Sequence, residues 1–274
     1  MQTVIQSNQN KIYKHIKSLS TKKNRYKNRQ FIIEGERFVK YAFDNGFTID
    51  YICVSECFDI LDFEMLREEV QNCQEIVVTF CDSLFKELIE TENSQGIFAV
   101  VQMPEALEAS ELLEKYENDE NIKQFLFLDR IQDPGNLGTI IRTADACGIQ
   151  HILLNKGTVD PYNGKVVRST AGSILNVKLI EVSDDLSTLK SLATAGVRLL
   201  VTSLDADYVF NDREAYGQRN CLIIGNEANG VSETIQALDC KRIIIPIVGK
   251  AESLNASVAA GIMMYKIYEY CIQK

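Results

Sequence analysis

The sequence predicts an α/β protein of two successive domains, the second built on a parallel sheet covered on both faces. Three observations carry this. Short apolar runs alternate with amphipathic stretches along almost the whole chain, the pattern of strands separated by helices. An acid-dominated segment, MPEALEASELLEKYENDEN at 103–121, interrupts the alternation without a strand of its own. Finally, three polar, glycine-punctuated segments lie at or beyond the ends of three buried-looking strands, FLFLD (125–129), CLIIG (221–225) and RIIIPI (242–247). Loops at the C-terminal ends of parallel strands face the usual ligand crevice. With 274 residues, 46% apolar and 24% charged, the chain is long enough for two cores.

Element by element, Ile12, Ile16 and Leu19 recur at helical spacing opposite Lys11, Lys14 and Lys17, which predicts a first amphipathic helix with its bases in solvent. After a basic turn, FII (31–33), YICV (51–54), IVV (76–78) and GIFAVV (96–101) read as strands, with helices near 36–45, 62–71 and 82–90. Residues 1–102 thus form a small α/β domain. Residues 103–121 read as a linker carrying a short helix, and residues 122–274 as the second domain. There the strands fall at 125–129, 151–155, 176–182, 198–203, 221–225 and 242–247. Helices fall near 137–147, 186–195, 232–238 and 254–271. The last is apolar nearly all round over Val258–Tyr265, so one side is expected in the core and the other against a second subunit.

Charge is distributed unevenly. The net charge is −9, yet residues 1–33 hold eight lysines and arginines and no acid, including Lys22, Lys23 and Arg25. Screening acts over ~8 Å at physiological salt, so a partner docking there feels mainly the local field. A basic arm on an acidic body fits RNA; a solvated lysine-rich helix face is the plain alternative. Eight cysteines without a CxxC pair, and only two histidines, argue against a metal site and for buried free thiols. No apolar run approaches the ~20 residues that span a bilayer and the first residues lack a signal-peptide core, so a cytoplasmic location is expected.

The three polar segments each have a modest reading. Asn136 suits a helix N-cap in DPGNLG, which leaves Arg142 unexplained, off the buried stripe and near a helix start, where it would suit an anionic group. GNEANG (225–230) suits a strand-to-helix loop with glycines at positive φ and Glu227 solvated; it is neither a phosphate loop nor a dinucleotide fingerprint. Ser253, Asn255 and Ser257 suit the cap of the last helix. Asn136, Arg142, Glu227, Ser253 and Asn255 converging on one sheet edge carry more weight together than any of them alone.

DPGNLGTIIRTADACGI, IIGNEANG and IPIVGKAESLNASVAAG, with VRSTAGS (167–173) between the first two, resemble the motifs of the SpoU/TrmH branch of the SPOUT RNA methyltransferases. The resemblance is close over 122–274. Residues 1–102, through FIIEGERFVKYAF after the basic helix, are similar to the small RNA substrate-binding domain that often precedes it. It implies a deep trefoil knot at the C-terminus, a homodimer, bound S-adenosylmethionine and 2'-O-methylation of a ribose in structured RNA. By the same resemblance Arg142 is placed at the ribose hydroxyl, with Asn136, Glu227, Ser253 and Asn255 completing the catalytic set. Gly225, Ile245 and Leu254 match positions that cradle the cofactor, and Arg168 an RNA-phosphate or structural position. The amino-terminal extension favours ribosomal RNA over tRNA, with a resistance-conferring methylation left open. A non-catalytic RNA-binding relative and an ordinary doubly wound nucleotide enzyme are the competing classes.

Overall fold

The computed structural model describes residues 4–58, 76–91, 94–105, 107, 111–112 and 124–271. The helix expected near 62–71 and most of the linker lie outside the described residues. The chain divides into two compact units. One comprises Met1–Pro104 with Tyr162–Leu175, and the other Glu105–Pro161 with Asn176–Lys274.

In the first unit, α1 (Lys11–Ser18) is capped by Asn10, whose side chain accepts from the Ile12 and Tyr13 N–H groups. The expected basic turn is instead a second helix, α2 (Lys22–Asn28). Thr21 starts it by accepting from the Asn24 N–H, and Arg29 ends it in the left-handed region at φ 53°. β1 (Gln30–Glu34), α3 (Glu36–Asp44), β2 (Ile49–Ser55), β3 (Val77–Phe80), α4 (Asp82–Leu88) and β4 (Ile97–Gln102) follow. The sheet order is β1-β4-β2-β3, with β4 antiparallel to both neighbours and β2 parallel to β3. Tyr13, Ile16 and Leu19 of the α1 segment bury against Phe80, Phe85, Phe98 and Val100. The apolar half of that helix is in the core, which leaves Lys11, Lys14 and Lys17 exposed.

The second unit is built on seven strands, β5 (Gln124–Asp129), β6 (His151–Asn155), β7 (Lys178–Val182), β8 (Arg198–Thr202), β9 (Tyr208–Val209), β10 (Asn220–Gly225) and β11 (Lys241–Ile244). All are parallel, in the order β7-β6-β5-β10-β8-β11-β9. The two-residue strand β9 is too short to register as a period in sequence. β11 ends earlier than expected because Pro246 has no N–H for the ladder. The helices are α5 (Pro134–Ala146), α7 (Asp185–Thr194), α8 (Glu233–Gln236) and α9 (Ala256–Cys271), while α6 (Gly164–Ser169) groups with the first unit. Phe125, Phe127, Leu153, Ile180, Leu199, Val201 and Ile223 form the core under α7 and α8, and α9 packs on α5 and β10 across the sheet. Cys53, Cys147 and Cys221 are buried as expected, but Cys57 is exposed at the end of β2.

Candidate active site

The strand order reverses between β5 and β10, so the loops leaving these two strands flank a topological switch point. The first polar segment begins there. Asp133, not Asn136, caps α5: its Oδ1 accepts from the Asn136 N–H at 2.7 Å, and Pro134 fills the first turn, where a missing N–H costs nothing. Freed from capping, the Asn136 side chain bridges the other two segments. Its Nδ2 donates to Glu227 Oε1 at 3.0 Å, and its Oδ1 accepts from Asn255 Nδ2 at 2.9 Å.

Glu227 also accepts from the backbone N–H groups of Gln132 (3.3 Å) and Asp133 (3.2 Å), so it is not simply solvated. Burial works against its charge, but the bonds from Asn136 and from the N–H groups of Glu227 itself, Asp133 and Gln132 outweigh it. The carboxyl is held below its ordinary value. Asn255 does cap the last helix: its Oδ1 accepts from the Ser257 N–H (2.9 Å), the Ser257 hydroxyl (2.6 Å) and the Val258 N–H (3.3 Å). One hydrogen-bonded chain, Glu227–Asn136–Asn255, therefore ties three segments that span 119 positions between its last two members alone. Arg142, two turns along α5, is exposed, and its guanidinium makes no hydrogen bond or ion pair among the described residues. Ser253 is likewise exposed and without such a bond.

The expected cofactor positions lie on the same edge. Gly225 is required for a different reason from the one expected: its φ is ordinary, but a Cβ there would meet Gly230 C and Val231 N at 2.1 Å. The positive φ, 65°, belongs to Gly230. Ile245 and Leu254 are half-buried on the loop after β11, while Leu204 (67%) and Val248 (102%) expose apolar side chains beyond β8 and β11. Apolar side chains left uncovered at the ligand-binding edge of a parallel sheet fit the adenosine part of S-adenosylmethionine, so the residues present suit that cofactor.

A buried polar frame beneath the site escaped the sequence reading. Asp129, fully buried, accepts from Arg130 Nε (2.8 Å) and Nη2 (3.1 Å), Asn155 Nδ2 (2.7 Å) and the Ser232 N–H (2.7 Å). Burial alone raises its carboxyl; these bonds outweigh that and lower it. Asn155 Oδ1 receives the Arg130 N–H at 2.8 Å, and Asn226 Nδ2 donates to the Arg130 carbonyl at 2.9 Å, holding Arg130 at φ 59°. The signal was present: β5 and β6 end in Asp129 and Asn155, and Asn226 directly follows β10, so three neighbouring strands lead into a polar side chain at the same edge.

In the first unit the expected RNA residues divide. Lys22 and Lys23 are exposed, with Lys22 Nζ 4.9 Å from the centre of the Tyr26 ring. Arg25 is a correction: it is buried, and its Nη1 donates to the carbonyls of Leu19 (2.8 Å) and Ser20 (2.9 Å), so it shapes the α1–α2 turn instead of facing solvent. Arg168 on α6 is partly exposed and pairs with Glu90 at 2.9 Å.

Residues 123–265 match the SpoU rRNA Methylase family, and residues 10–99 match an MRM3-like substrate binding domain. The chain is 33% identical to the 23S rRNA (guanosine(2553)-2'-O)-methyltransferase RlmP of Bacillus subtilis, over 96% of this chain and 98% of that protein. Among solved structures it is similar to an AdoMet-bound rRNA methyltransferase from Sinorhizobium meliloti, at TM-score 0.81 and 27% identity, with 98% of each chain covered. It is also similar to the SpoU methyltransferase AviRb of Streptomyces viridochromogenes in complex with AdoMet, at TM-score 0.80 and 25% identity, covering 97% of this chain and all of that one.

Proposed function

Because this chain belongs to the SpoU rRNA methylase family, and is thereby an S-adenosylmethionine-dependent RNA methyltransferase, we propose that it methylates a ribose 2'-hydroxyl of ribosomal RNA in the cytoplasm. The observation that carries the site assignment is the Glu227–Asn136–Asn255 chain with Arg142 exposed and unpartnered among the described residues nearby on α5. When bound, the cofactor supplies an activated sulfonium methyl, so the protein's own task is alignment and control of one proton.

A ribose hydroxyl is a poor nucleophile at neutral pH. In this reading Arg142 donates to the hydroxyl oxygen and stabilises its developing negative charge; with a pKa above ~12, a guanidinium is a donor before it is a base. Glu227 and Asn255 hold Asn136 from both sides and thereby fix the first turn of α5, and Ser253 supplies a hydroxyl on the adjoining loop. Gly225, Ile245 and Leu254, with Leu204 and Val248, would hold the cofactor, and no metal is required by this chemistry. Residues 1–102 would read the RNA and residues 122–274 transfer the methyl, a division supported by the spans of the two family matches.

The reading includes a homodimer joined through α9. That is supported by the exposure of Val258 (50%), Tyr265 (55%) and Tyr268 (40%) on a helix whose other face buries Ala260, Met263, Met264 and Ile267. It also includes the trefoil knot, which is supported by the chain's membership of the SpoU family. The decisive experiment is methyl transfer from labelled S-adenosylmethionine to ribosomal RNA from a strain lacking the gene, with the product mapped for 2'-O-methylation. No transfer, with the cofactor bound in calorimetry, would point to a non-catalytic RNA-binding relative.

A further inference from the structure

The first unit contains a cavity of about 180 Å³ that the methyl-transfer site does not use, lined by residues of α1, β1, the end of α4 and the 162–168 segment. Drug-sized ligands occupy pockets of about 300–1,000 Å³, so this one suits a single small planar group. Its lining is mixed: it includes apolar Ile16, Leu19 and Ile32, the half-buried ring of Tyr162, and three bases, Lys17, Arg25 and Arg168, beside three acids, Glu34, Glu87 and Glu90.

Tyr162 is a prepared wall. Its ring lies 5.0 Å from that of Phe31 and 6.3 Å from that of Tyr26, and Tyr26 in turn lies under Lys22 Nζ. The basic surface of α2 is thereby continuous with the cavity. Buried Arg25, through the Leu19 and Ser20 carbonyls, fixes a turn that also lines the cavity. Beside Tyr162, Arg168 is held by Glu90, whose side chain is 63% exposed. An exposed pair of this kind holds weakly, and a guanidinium takes a phosphate with the same two-pronged geometry. Unstacked bases on aromatic rings, with phosphates on adjacent cations, are the common mode of single-stranded RNA recognition.

We propose that this cavity receives one unstacked nucleotide of the RNA substrate, its base against Tyr162 and its phosphate on Arg168 in exchange for Glu90. Glu90 then competes with the RNA phosphate for Arg168. The inference rests on the RNA-methyltransferase reading and adds to it a base-sized subsite outside the three motifs.

The test uses the full-length protein and a short single-stranded RNA carrying one 2-aminopurine. Arg168→Gln should weaken binding roughly five- to tenfold and lower the log–log salt slope by about 0.7, the loss of one phosphate contact. Glu90→Gln should do the opposite, tightening binding roughly two- to fivefold, because the competing carboxylate is gone. Asp44→Asn, an equal charge change on α3 away from the cavity, should leave affinity unchanged. Stacking should quench the 2-aminopurine in the wild type and in Tyr162→Phe, and not in Tyr162→Leu. If Glu90→Gln fails to tighten binding, or tightens it no more than Asp44→Asn, the Arg168–Glu90 pair is structural and the proposal falls, whether or not Tyr162→Leu folds. Calorimetry with S-adenosylmethionine alone separates the two readings: absence of cofactor binding would sink the methyltransferase assignment and leave the RNA result standing.

Discussion

Arg142 and Glu227 differ in what surrounds them, and that difference sets what each substitution should do. Arg142 is uncommitted among the described residues, so Arg142→Ala should leave stability and cofactor affinity nearly unchanged while methyl transfer falls by about 10²–10³, the usual cost of one transition-state donor. Lysine should not restore it, since a point charge lacks the planar fork. Glu227 and Asn136 belong to one hydrogen-bonded chain, so their alanine variants should couple, by about 0.5–3 kcal/mol in a double-mutant cycle of transfer rates. Additive losses would mean that the two act separately. Glu227 also predicts an acid dependence. Its carboxyl lies below the ordinary 4.5 in the folded protein, so as pH falls the unfolded chain takes up the proton first. The stability it contributes is complete above that ordinary value and is lost as pH drops through the lower, folded value. Urea midpoints followed against pH should show this decline in the wild type and a flatter one in Glu227→Gln.

Among the elements, β5 and α9 carry the clearest expectations. Asp129 at the end of β5 receives four bonds from three segments in a fully buried position. Asp129→Asn leaves the Arg130 charge without its partner and should cost about 2–4 kcal/mol, read as a lower urea midpoint. α9 has the opposite character, being apolar toward solvent as well as toward the core. Val258→Glu, on its exposed side, should shift the species in light scattering from twice the 30.9 kDa chain mass to a single chain without loss of helix signal. An unchanged mass would count against α9 as the contact of the proposed homodimer.

Across the whole molecule, the two compact units interleave along the chain, which constrains any test of the proposed RNA-binding arm. A fragment beginning near residue 122 contains every methyl-transfer motif, but it would strip Tyr162–Leu175 of the unit with which it packs, exposing Val166, Val167 and Ile174. The informative experiment therefore keeps the full chain and substitutes Lys22, Lys23 and Lys27, all exposed, leaving Arg25 in place because it is buried. RNA affinity should fall, and the log–log salt slope should flatten by roughly 0.7–0.9 for each phosphate contact removed. Unchanged affinity and slope would assign these lysines to a solvated surface.

The sequence by itself determined the alternation of strands and helices, because buried parallel strands must be continuously apolar and a surface helix must be apolar on one side. It also nominated Asn136, Arg142, Glu227, Ser253 and Asn255 as a candidate site, through polar segments that follow such runs and resemble the family's motifs. Tertiary structure alone decided which partner each polar group has. A local reading made Asn136 a cap and Glu227 a solvated acid, whereas the cap is Asp133 and the two side chains bond to each other across 91 positions. Arg25 reads as one more base in a basic run, yet folding turns it inward onto two carbonyls. Gly225 reads as a loop glycine and is fixed instead by the backbone of Gly230 and Val231. The division has one physical cause: periodicity reports which side of an element meets water, and hydrogen bonds between distant segments are settled only once the strands have taken their order in the sheet.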